Sequence, residues 1–278
     1  MEIQRIAAFC TDEGGGNPAG VVMLEEWLSD GEMARIATQV GYSETAFAVA
    51  KGTHKQTWRV RYFSPESEVP FCGHATIALA AALEERWGVG SYDLILNNAS
   101  ITVEAKKVNN EIVATLLSPP TKSQRLTEEE LTDALRLFNL IRDDLHSHMP
   151  PARIHGGADH IVLALKSRNS LSTMKYDLNE GRDVMQKHGL VTIMLVYIEN
   201  DQTFIARNAF ASGGVLEDPA TGAAAAAFAG YLRDIAWPYQ NPITIRQGED
   251  MGQPSLITVS MTSQKGHPVK VSGRATPI

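Results

Sequence analysis

The chain has 278 residues, of which 44% are hydrophobic and 21% charged, close to globular averages that exclude wholesale disorder. At roughly 150 residues per domain the length allows two domains, with enough chain to bury a core without disulfide staples. Lys+Arg 25 against Asp+Glu 32 gives a net charge of −7 with no basic block, which argues against non-specific binding to nucleic acid or to an anionic membrane.

The opening predicts a strand at Ile3–Phe9, a loop carrying Gly14-Gly15-Gly16-Asn17-Pro18-Ala19-Gly20, and a second strand at Val21–Leu24. Ser29 with Glu32 forms a capping box, and Met33, Ile36, Ala37 and Val40 then fall at helical spacing on one face until Gly41 stops the helix. Ser43-Glu44-Thr45 opens a strand at Ala46–Ala50, with Trp58–Phe63 as its partner. Cys72-Gly73-His74 leads into an Ala-rich helix, Ala75–Trp87, and strands follow at Asp93–Leu96, Ile101–Ala105 and Ile112–Leu117.

Ser118-Pro119-Pro120-Thr121-Lys122-Ser123 reads as a linker, because two prolines precede a new capping box at Thr127 and Glu130. Beyond it the pattern predicts a helix at 128–138, strands near 160–165 and 190–198 with a helix near 179–188 between them, and a strand at Thr203–Phe210. A second Ala-rich helix at 222–235 and strands at Ile243–Gln247, Ser255–Met261 and Val269–Ser272 complete the chain.

The halves repeat one another. Gly73 to Leu83 lines up with Gly222 to Leu232, with Gly, Ala75/Ala224, Ala78/Ala227, Ala80/Ala229 and Leu83/Leu232 coinciding. Aromatic strand, acid-and-proline loop and glycine-led helix recur in the same order, which points to a duplicated αβ unit of two copies. Helices this rich in Ala with no polar face are buried helices. Their N-termini carry unpartnered N–H groups and the positive end of the dipole, a seat for a carboxylate; two core helices with ordinary glycine entries fit the same pattern.

Polar residues gather at these helix starts. His74 follows Gly73, and Asp218 lies four residues before Gly222; an Asp there either caps the helix or serves chemistry. Glu44 enters a strand whose next residues are apolar. It is either a solvent-facing edge residue or an inward carboxyl and a candidate general acid/base. Cys72 and His74 lack the second Cys or His pair of a zinc site. No P-loop, dinucleotide fingerprint or nucleophile elbow is present. Cys10 and Cys72 do not make a disulfide framework. Neither a signal-peptide pattern nor a run of ~18 apolar residues appears. The expectation is a cytoplasmic protein without membrane or nucleic-acid partners.

Gly16-Asn17-Pro18-Ala19-Gly20, Ser43-Glu44-Thr45-Ala46-Phe47, Phe71-Cys72-Gly73-His74-Ala75-Thr76 and Glu217-Asp218-Pro219-Ala220-Thr221-Gly222 occur in this order. Pro65, Glu68 and Pro70, and Ile245-Arg246-Gln247-Gly248 with Gly252-Gln253-Pro254-Ser255, join them. Together they resemble the phenazine-biosynthesis PhzF-like isomerase family over essentially the whole chain. The resemblance implies an α+β, diaminopimelate-epimerase-like fold with two pseudo-symmetric halves, each a mostly antiparallel sheet rolled around a central helix. One half would span 1–118, joined by the C-terminal strand 266–278, and the other 119–265, with the active site in the cleft between them.

It further implies a homodimer, no metal or organic cofactor, and a small carboxylate substrate such as trans-2,3-dihydro-3-hydroxyanthranilate. Glu44 matches the proton-shuttling glutamate, with His74 and Asp218 as catalytic partners. Asn17, Cys72, Gly73, Thr221, Gly222 and Ala223 match substrate-binding positions. Ala223 replaces a serine common in the family, and Ala7-Ala8-Phe9 lacks the aspartate often found in the first strand. Family epimerases place a cysteine at each helix start; here only Cys72 does so. Two alternatives stand beside the isomerase: an epimerase or racemase using Cys72, and an inactive small-molecule-binding relative.

Overall fold

The computed structural model describes residues 2–278 apart from 66, 98 and 110. The chain divides into two compact units, Met1–Leu117 with Ser272–Ile278, and Ser118–Val271.

In the first unit, β1 (Gln4–Ala8) and β2 (Asn17–Leu24) precede α1 (Asp30–Val40). β3 (Thr45–Lys51), β4 (Thr57–Phe63) and the two-residue β5 (Glu68–Val69) lead to α2 (Gly73–Trp87). β6 (Ser91–Ile95), β7 (Ser100–Val108) and β8 (Glu111–Leu117) follow. β2 and β3 run parallel across α1, β3 and β4 antiparallel, and β4 and β6 parallel across α2. The C-terminal strand, β17 (Lys270–Pro277), pairs with both β8 and β1 and so closes an eight-stranded barrel.

Inside the barrel lies α2, packed against β1, β2, β3, β7 and β8. Every residue from Gly73 to Leu83 is buried. Alanine suits this place: it is the best helix former, and its small side chain lets strands close in on all sides. The amphipathic α1 instead covers the outer face, where Met33, Ile36, Ala37 and Val40 meet Val22, Phe47 and Phe63. The expected capping box is present, with Ser29 accepting from the Glu32 N–H, and Gly41 ends the helix in the left-handed region.

The second unit repeats this order. β9 (Lys122–Arg125) and α3 (Glu128–Leu137) precede β10 (Ala152–His155) and β11 (Asp159–Leu165). α4 (Arg168–Ser172), α5 (Leu178–His188), β12 (Thr192–Ile198), β13 (Thr203–Ala209) and the two-residue β14 (Glu217–Asp218) lead to α6 (Gly222–Asp234). β15 (Ile243–Gln247) and β16 (Ser255–Ser260) complete it. β11 and β12 are parallel, β12 and β13 antiparallel, and β13 and β15 parallel across α6. α6 packs against β9, β10, β11 and β16, so the ladder wraps around it as the barrel wraps α2. Gly156 permits that approach, since a Cβ there would stand 2.7 Å from the Ala227 nitrogen. Outside, α3, α4 and α5 cover Ile161, Leu163, Leu165, Ile193, Leu195 and Ile205.

Several segments differ from expectation: β2 begins at Asn17 rather than Val21, because β1 pairs with Asn17–Gly20, and the short α4 was not expected. Lys122–Arg125 is a strand paired with β10, although 118–123 reads as a linker; its polar sequence carries no alternation for a periodicity argument to find. Ala152–His155 also forms a strand, too short to stand out. The last strand runs to Pro277 because β1 supplies a partner.

One device recurs in both units. In each, the strand before the central helix is clamped by an arginine. Arg61 binds Glu68 of β5 with Nε at 2.8 Å and Nη2 at 2.5 Å, and reaches Asp30 of α1 with Nη1 at 2.8 Å. Arg207 binds Glu217 of β14 with Nε at 3.0 Å and Nη2 at 2.5 Å, and donates to carbonyls of Leu171 and Ser172 at the end of α4. Arg207 and Glu217 are the more enclosed pair, with side chains 11% and 7% exposed. Arg207→Met is therefore expected to lower the unfolding free energy by about 3–5 kcal/mol, the usual cost of stranding one member of a buried pair. Arg61→Met should cost less, because Glu68 is 25% exposed and keeps Asn97 Nδ2 at 2.6 Å. Denaturant unfolding of both variants checks the order.

Candidate active site

Five of the expected site residues lie in the first unit. Asn17 is the buried first residue of β2. Cys72 is the N-cap of α2, and Gly73 and His74 are its first two residues. Glu44 immediately precedes β3 and is buried, so the inward reading holds and the solvent-edge alternative falls. Its direction follows from strand alternation. Phe47 faces the outer cluster with α1, so Ala46 and Glu44 point the other way, towards α2.

Glu44, Cys72 and His74 come together around the imidazole. Glu44 Oε2 lies 3.4 Å from His74 Nε2 and makes no hydrogen bond among the described residues. Ser43 Oγ is also 3.4 Å from Nε2, and Cys72 Sγ is 3.4 Å from Nδ1. One donor atom from each of Glu44, Cys72 and His74 lies within 4.8 Å of the others, a grouping able to hold a metal ion. The spacing of Cys72 and His74 alone could not reveal it, because the third donor comes from a different strand. Below them Thr76 donates to the Cys72 carbonyl at 2.7 Å and is 2.6 Å from the Tyr62 hydroxyl. Burial holds the Tyr62 phenol well above its usual range.

The remaining four, Asp218, Thr221, Gly222 and Ala223, lie in the second unit. Asp218 ends β14 opposite Asn208 of β13. Thr221 is the N-cap of α6, and Gly222 and Ala223 begin it. The Thr221 hydroxyl donates to Asp218 Oδ2 at 2.5 Å.

A buried polar chain that sequence reasoning missed continues from here. Gln247 Nε2 donates to the Asp218 carbonyl at 2.7 Å and to Thr221 Oγ1 at 3.1 Å. Gln247 Oε1 accepts from the Thr221 N–H at 3.3 Å. Two backbone groups of fixed sense thus orient the amide, and every further bond follows. Asn208 Nδ2 donates to Gln247 Oε1 at 3.1 Å, so Asn208 Oδ1 accepts from the Thr192 hydroxyl at 3.0 Å. Thr192 Oγ1 must then accept from His160 Nδ1 at 2.8 Å. The proton of His160 is on Nδ1, and Nε2 is left buried without a partner among the described residues.

The signal for this chain was present. On the inward face of their strands His160, Thr192 and Asn208 are each a single polar residue beside Val162 and Ala164, Met194 and Val196, and Phe204 and Ala206, while Ile161, Ile193 and Ala209 face the outer helices.

The two central helices also differ from the others at their starts. Ser29, Thr127, Ser167 and Asp177 each accept a first-turn N–H of α1, α3, α4 and α5. Cys72 and Thr221 make no side-chain cap, and neither first turn holds an acidic residue. Each central helix therefore presents its N–H groups and positive dipole end to an anion. The N-cap position of α6 is Thr221, and Asp218 lies three residues before it. No helix among the described residues is long and apolar enough to cross a membrane.

Comparison with known proteins follows this geometry. Residues 6–278 match the PhzC-PhzF family of phenazine biosynthesis-like proteins. The uncharacterized isomerase YfhB of Bacillus subtilis is 29% identical over 287 residues, covering 100% of this chain and 96% of that protein. The crystal structure of a phenazine biosynthesis protein of the PhzF family from Bacillus anthracis matches with a TM-score of 0.85 at 22% identity, over 100% of this chain and 98% of the other. A protein of Pseudomonas aeruginosa described as a predicted epimerase matches with a TM-score of 0.86 at 22% identity, over 99% and 96% of the two chains. At such identities the structures show the fold, which is the diaminopimelate-epimerase-like one expected from the sequence.

The enclosed His160 gives a pH test of the polar chain. Burial depresses its pKa from the ordinary 6.5 to about 3. A depressed histidine favours the folded state fully above the unfolded pKa, and that contribution falls away as pH drops from 6.5 towards 3. From pH 7 to pH 5 the wild type should lose about 2 kcal/mol more stability than His160→Asn, which keeps a donor to Thr192 without a titrating group. Denaturant unfolding at the two pH values checks the difference in slope.

Proposed function

The chain belongs to the PhzC-PhzF family of phenazine biosynthesis-like proteins, and from that premise we propose that it is an isomerase that moves a proton on a small carboxylate without a cofactor. Curated relatives named as isomerases support the reaction class. The observation that carries the assignment to a residue is Glu44 Oε2, buried, without a hydrogen bond among the described residues, and 3.4 Å from His74 Nε2. A carboxylate oxygen kept dry and uncommitted is what a general base needs.

In this reading Glu44 takes a proton from one carbon of the substrate and returns it at another, while the double bond shifts between them. The substrate loses and regains one proton, and no electrons leave it. His74 orients the carboxylate through Nε2 and is itself held by Cys72 and Ser43. The uncapped start of α2 at Gly73 supplies N–H groups for a substrate carboxylate or for charge that develops during transfer, and Gly222 at the start of α6 keeps the substrate-binding role that the family resemblance implies. Asp218 keeps the role of polar partner that the family resemblance implies. Asn17, Thr221 and Ala223 keep that of substrate-binding positions, and trans-2,3-dihydro-3-hydroxyanthranilate is the first substrate to try. The homodimer and the cytoplasmic location remain part of the proposal.

A second reading has one observation in its favour: Cys72 Sγ lies 3.4 Å from His74 Nδ1, the spacing of a thiol and its base. Against a two-thiol epimerase, the position equivalent to Cys72 at the start of α6 is Thr221, whose hydroxyl is committed to Asp218.

Proton NMR of dihydrohydroxyanthranilate in deuterated buffer separates the readings. Wild type is expected to convert it with deuterium uptake at a ring carbon. Glu44→Gln should slow turnover by about 10²–10⁴, the usual worth of a positioned acid/base, and Cys72→Ala, which loses only a contact to His74, should slow it far less. Loss in Cys72→Ala with retention in Glu44→Gln would reverse the assignment.

A further inference from the structure

The motif Ile245-Arg246-Gln247-Gly248 has no part in the proposed chemistry, yet its last two residues close on the turn that carries Asp218. We propose that Gln247, backed by Gly248, is a positioning residue: it fixes the turn from Asp218 to Thr221 and with it the Asp218 carboxylate. This role rests on the isomerase reading, in which Asp218 takes part in proton transfer.

The turn has little of its own to hold it. β14 is two residues long and ends at Asp218, and α6 does not begin until Gly222. Pro219 between them has no N–H to give. One buried side-chain amide spans the gap. Gln247 Nε2 donates to the Asp218 carbonyl at 2.7 Å, and Oε1 accepts from the Thr221 N–H at 3.3 Å. The second N–H goes to Thr221 Oγ1 at 3.1 Å, and Oε1 also takes Asn208 Nδ2 at 3.1 Å. All four valences of the amide are used. Because Thr221 Oγ1 accepts from Gln247, its own proton is turned to Asp218 Oδ2 at 2.5 Å. Gln247 thus holds both ends of the turn by the backbone and, through Thr221, the carboxylate.

Gly248 closes on the same turn from the backbone side. It lies at φ +78°, and a Cβ on it would stand 2.8 Å from the Pro219 carbonyl oxygen and 2.2 Å from that of Gln253. Glycine is what lets the end of β15 come this close.

The other unit shows that the fold does not require the amide. Its matching turn is Val69-Pro70-Phe71-Cys72, equal in length and with proline at the same place. Continuing the β4–β6 register by one residue sets Leu96 where β15 has Gln247. Leu96 is buried and apolar, so that turn enters its helix with no amide at this position. The amide stands in the unit whose turn carries an acid.

Three variants of the full chain test the role. Gln247→Met keeps the length of the side chain and removes all four bonds. Gly248→Ala presses on the turn from the other side. Tyr231→Phe is the control, because it removes a different hydrogen bond of α6, the one to the Pro150 carbonyl. Circular dichroism establishes that each is folded. With dihydrohydroxyanthranilate as substrate, kcat should fall by about 10²-fold in Gln247→Met and Gly248→Ala, the cost of misplacing a group by about 1 Å. KM should change little, since the loss is confined to the transition state. Tyr231→Phe should keep the wild-type kcat.

Amide hydrogen exchange followed by NMR needs no substrate. The Thr221 N–H should exchange at least about tenfold faster in Gln247→Met and at the wild-type rate in Tyr231→Phe. Should Gln247→Met not fold, Gln247→Asn, one methylene too short to span the turn, replaces it with the same expectations. Unchanged Thr221 exchange, a rise in KM with kcat kept, or an equal loss of kcat in Tyr231→Phe would overturn the role. Faster exchange in Gln247→Met with no conversion by the wild type overturns the isomerase reading and keeps the hold on the turn. Conversion by the wild type with kcat kept in Gln247→Met leaves the isomerase reading standing and overturns the positioning role.

Discussion

A buried helix must leave its N-terminus open without leaving it wandering, and the arginine–glutamate clamp ahead of each central helix meets that constraint. Arg61 holds β5 to β4, and Arg207 holds β14 to β13, each through a bidentate pair. The clamp fixes the few residues that turn from strand into helix, so Cys72 and Thr221 sit at the helix starts without a side-chain cap. A surface helix obtains its terminal stability from a capping residue, worth roughly 1 kcal/mol. α2 and α6 forgo that term, and burial on all sides takes its place. In both units a rigid frame surrounds N–H groups that remain available to a ligand.

Ladder register makes the duplication quantitative. Ala46 is opposite Tyr62 as Met194 is opposite Asn208, and Tyr62 is opposite Val69 as Asn208 is opposite Asp218. Glu44 therefore corresponds to Thr192, Tyr62 to Asn208, Val69 to Asp218, Cys72 to Thr221 and His74 to Ala223. The frame is common while the chemistry is divided. The first unit carries the carboxylate, thiol and imidazole around one helix start. The second places its acid two strands over, on β14, and spends the remaining positions on a polar chain.

The frame was more legible in the sequence than the chemistry, and physics explains the difference. Ser29 with Glu32 and Thr127 with Glu130 announce their helices because a cap is a local, four-residue device. The Ala-rich repeats were visible because burial on every face leaves a compositional mark. Lys122–Arg125 was not visible as a strand, since its pairing with β10 depends on a partner about 30 residues away. Within the site, family motifs carried Glu44, His74 and Asp218. Gln247 stood in a family motif without a stated role, and Asn208, Thr192 and His160 are ordinary polar residues until the ladder stacks them. A rule that flags isolated polar residues on the inward face of apolar strands would have found three of these four.

The polarity of that chain bears on Asp218. Two backbone groups orient Gln247, and from there each donor points one way: His160 to Thr192, Thr192 to Asn208, Asn208 to Gln247, Gln247 to Thr221, and Thr221 to the Asp218 carboxylate. Reversing any link would set two donors or two acceptors face to face in a dry interior, at a cost of about 1–3 kcal/mol per unmet group. The chain is thus locked as a unit, and its last donor, the Thr221 hydroxyl, ends on Asp218 Oδ2. Glu44 is held differently: its Oε2 makes no hydrogen bond among the described residues and lies 3.4 Å from His74 Nε2. A polar chain of fixed sense thus ends on the carboxylate of one unit, while the buried carboxylate of the other has an oxygen outside any such chain.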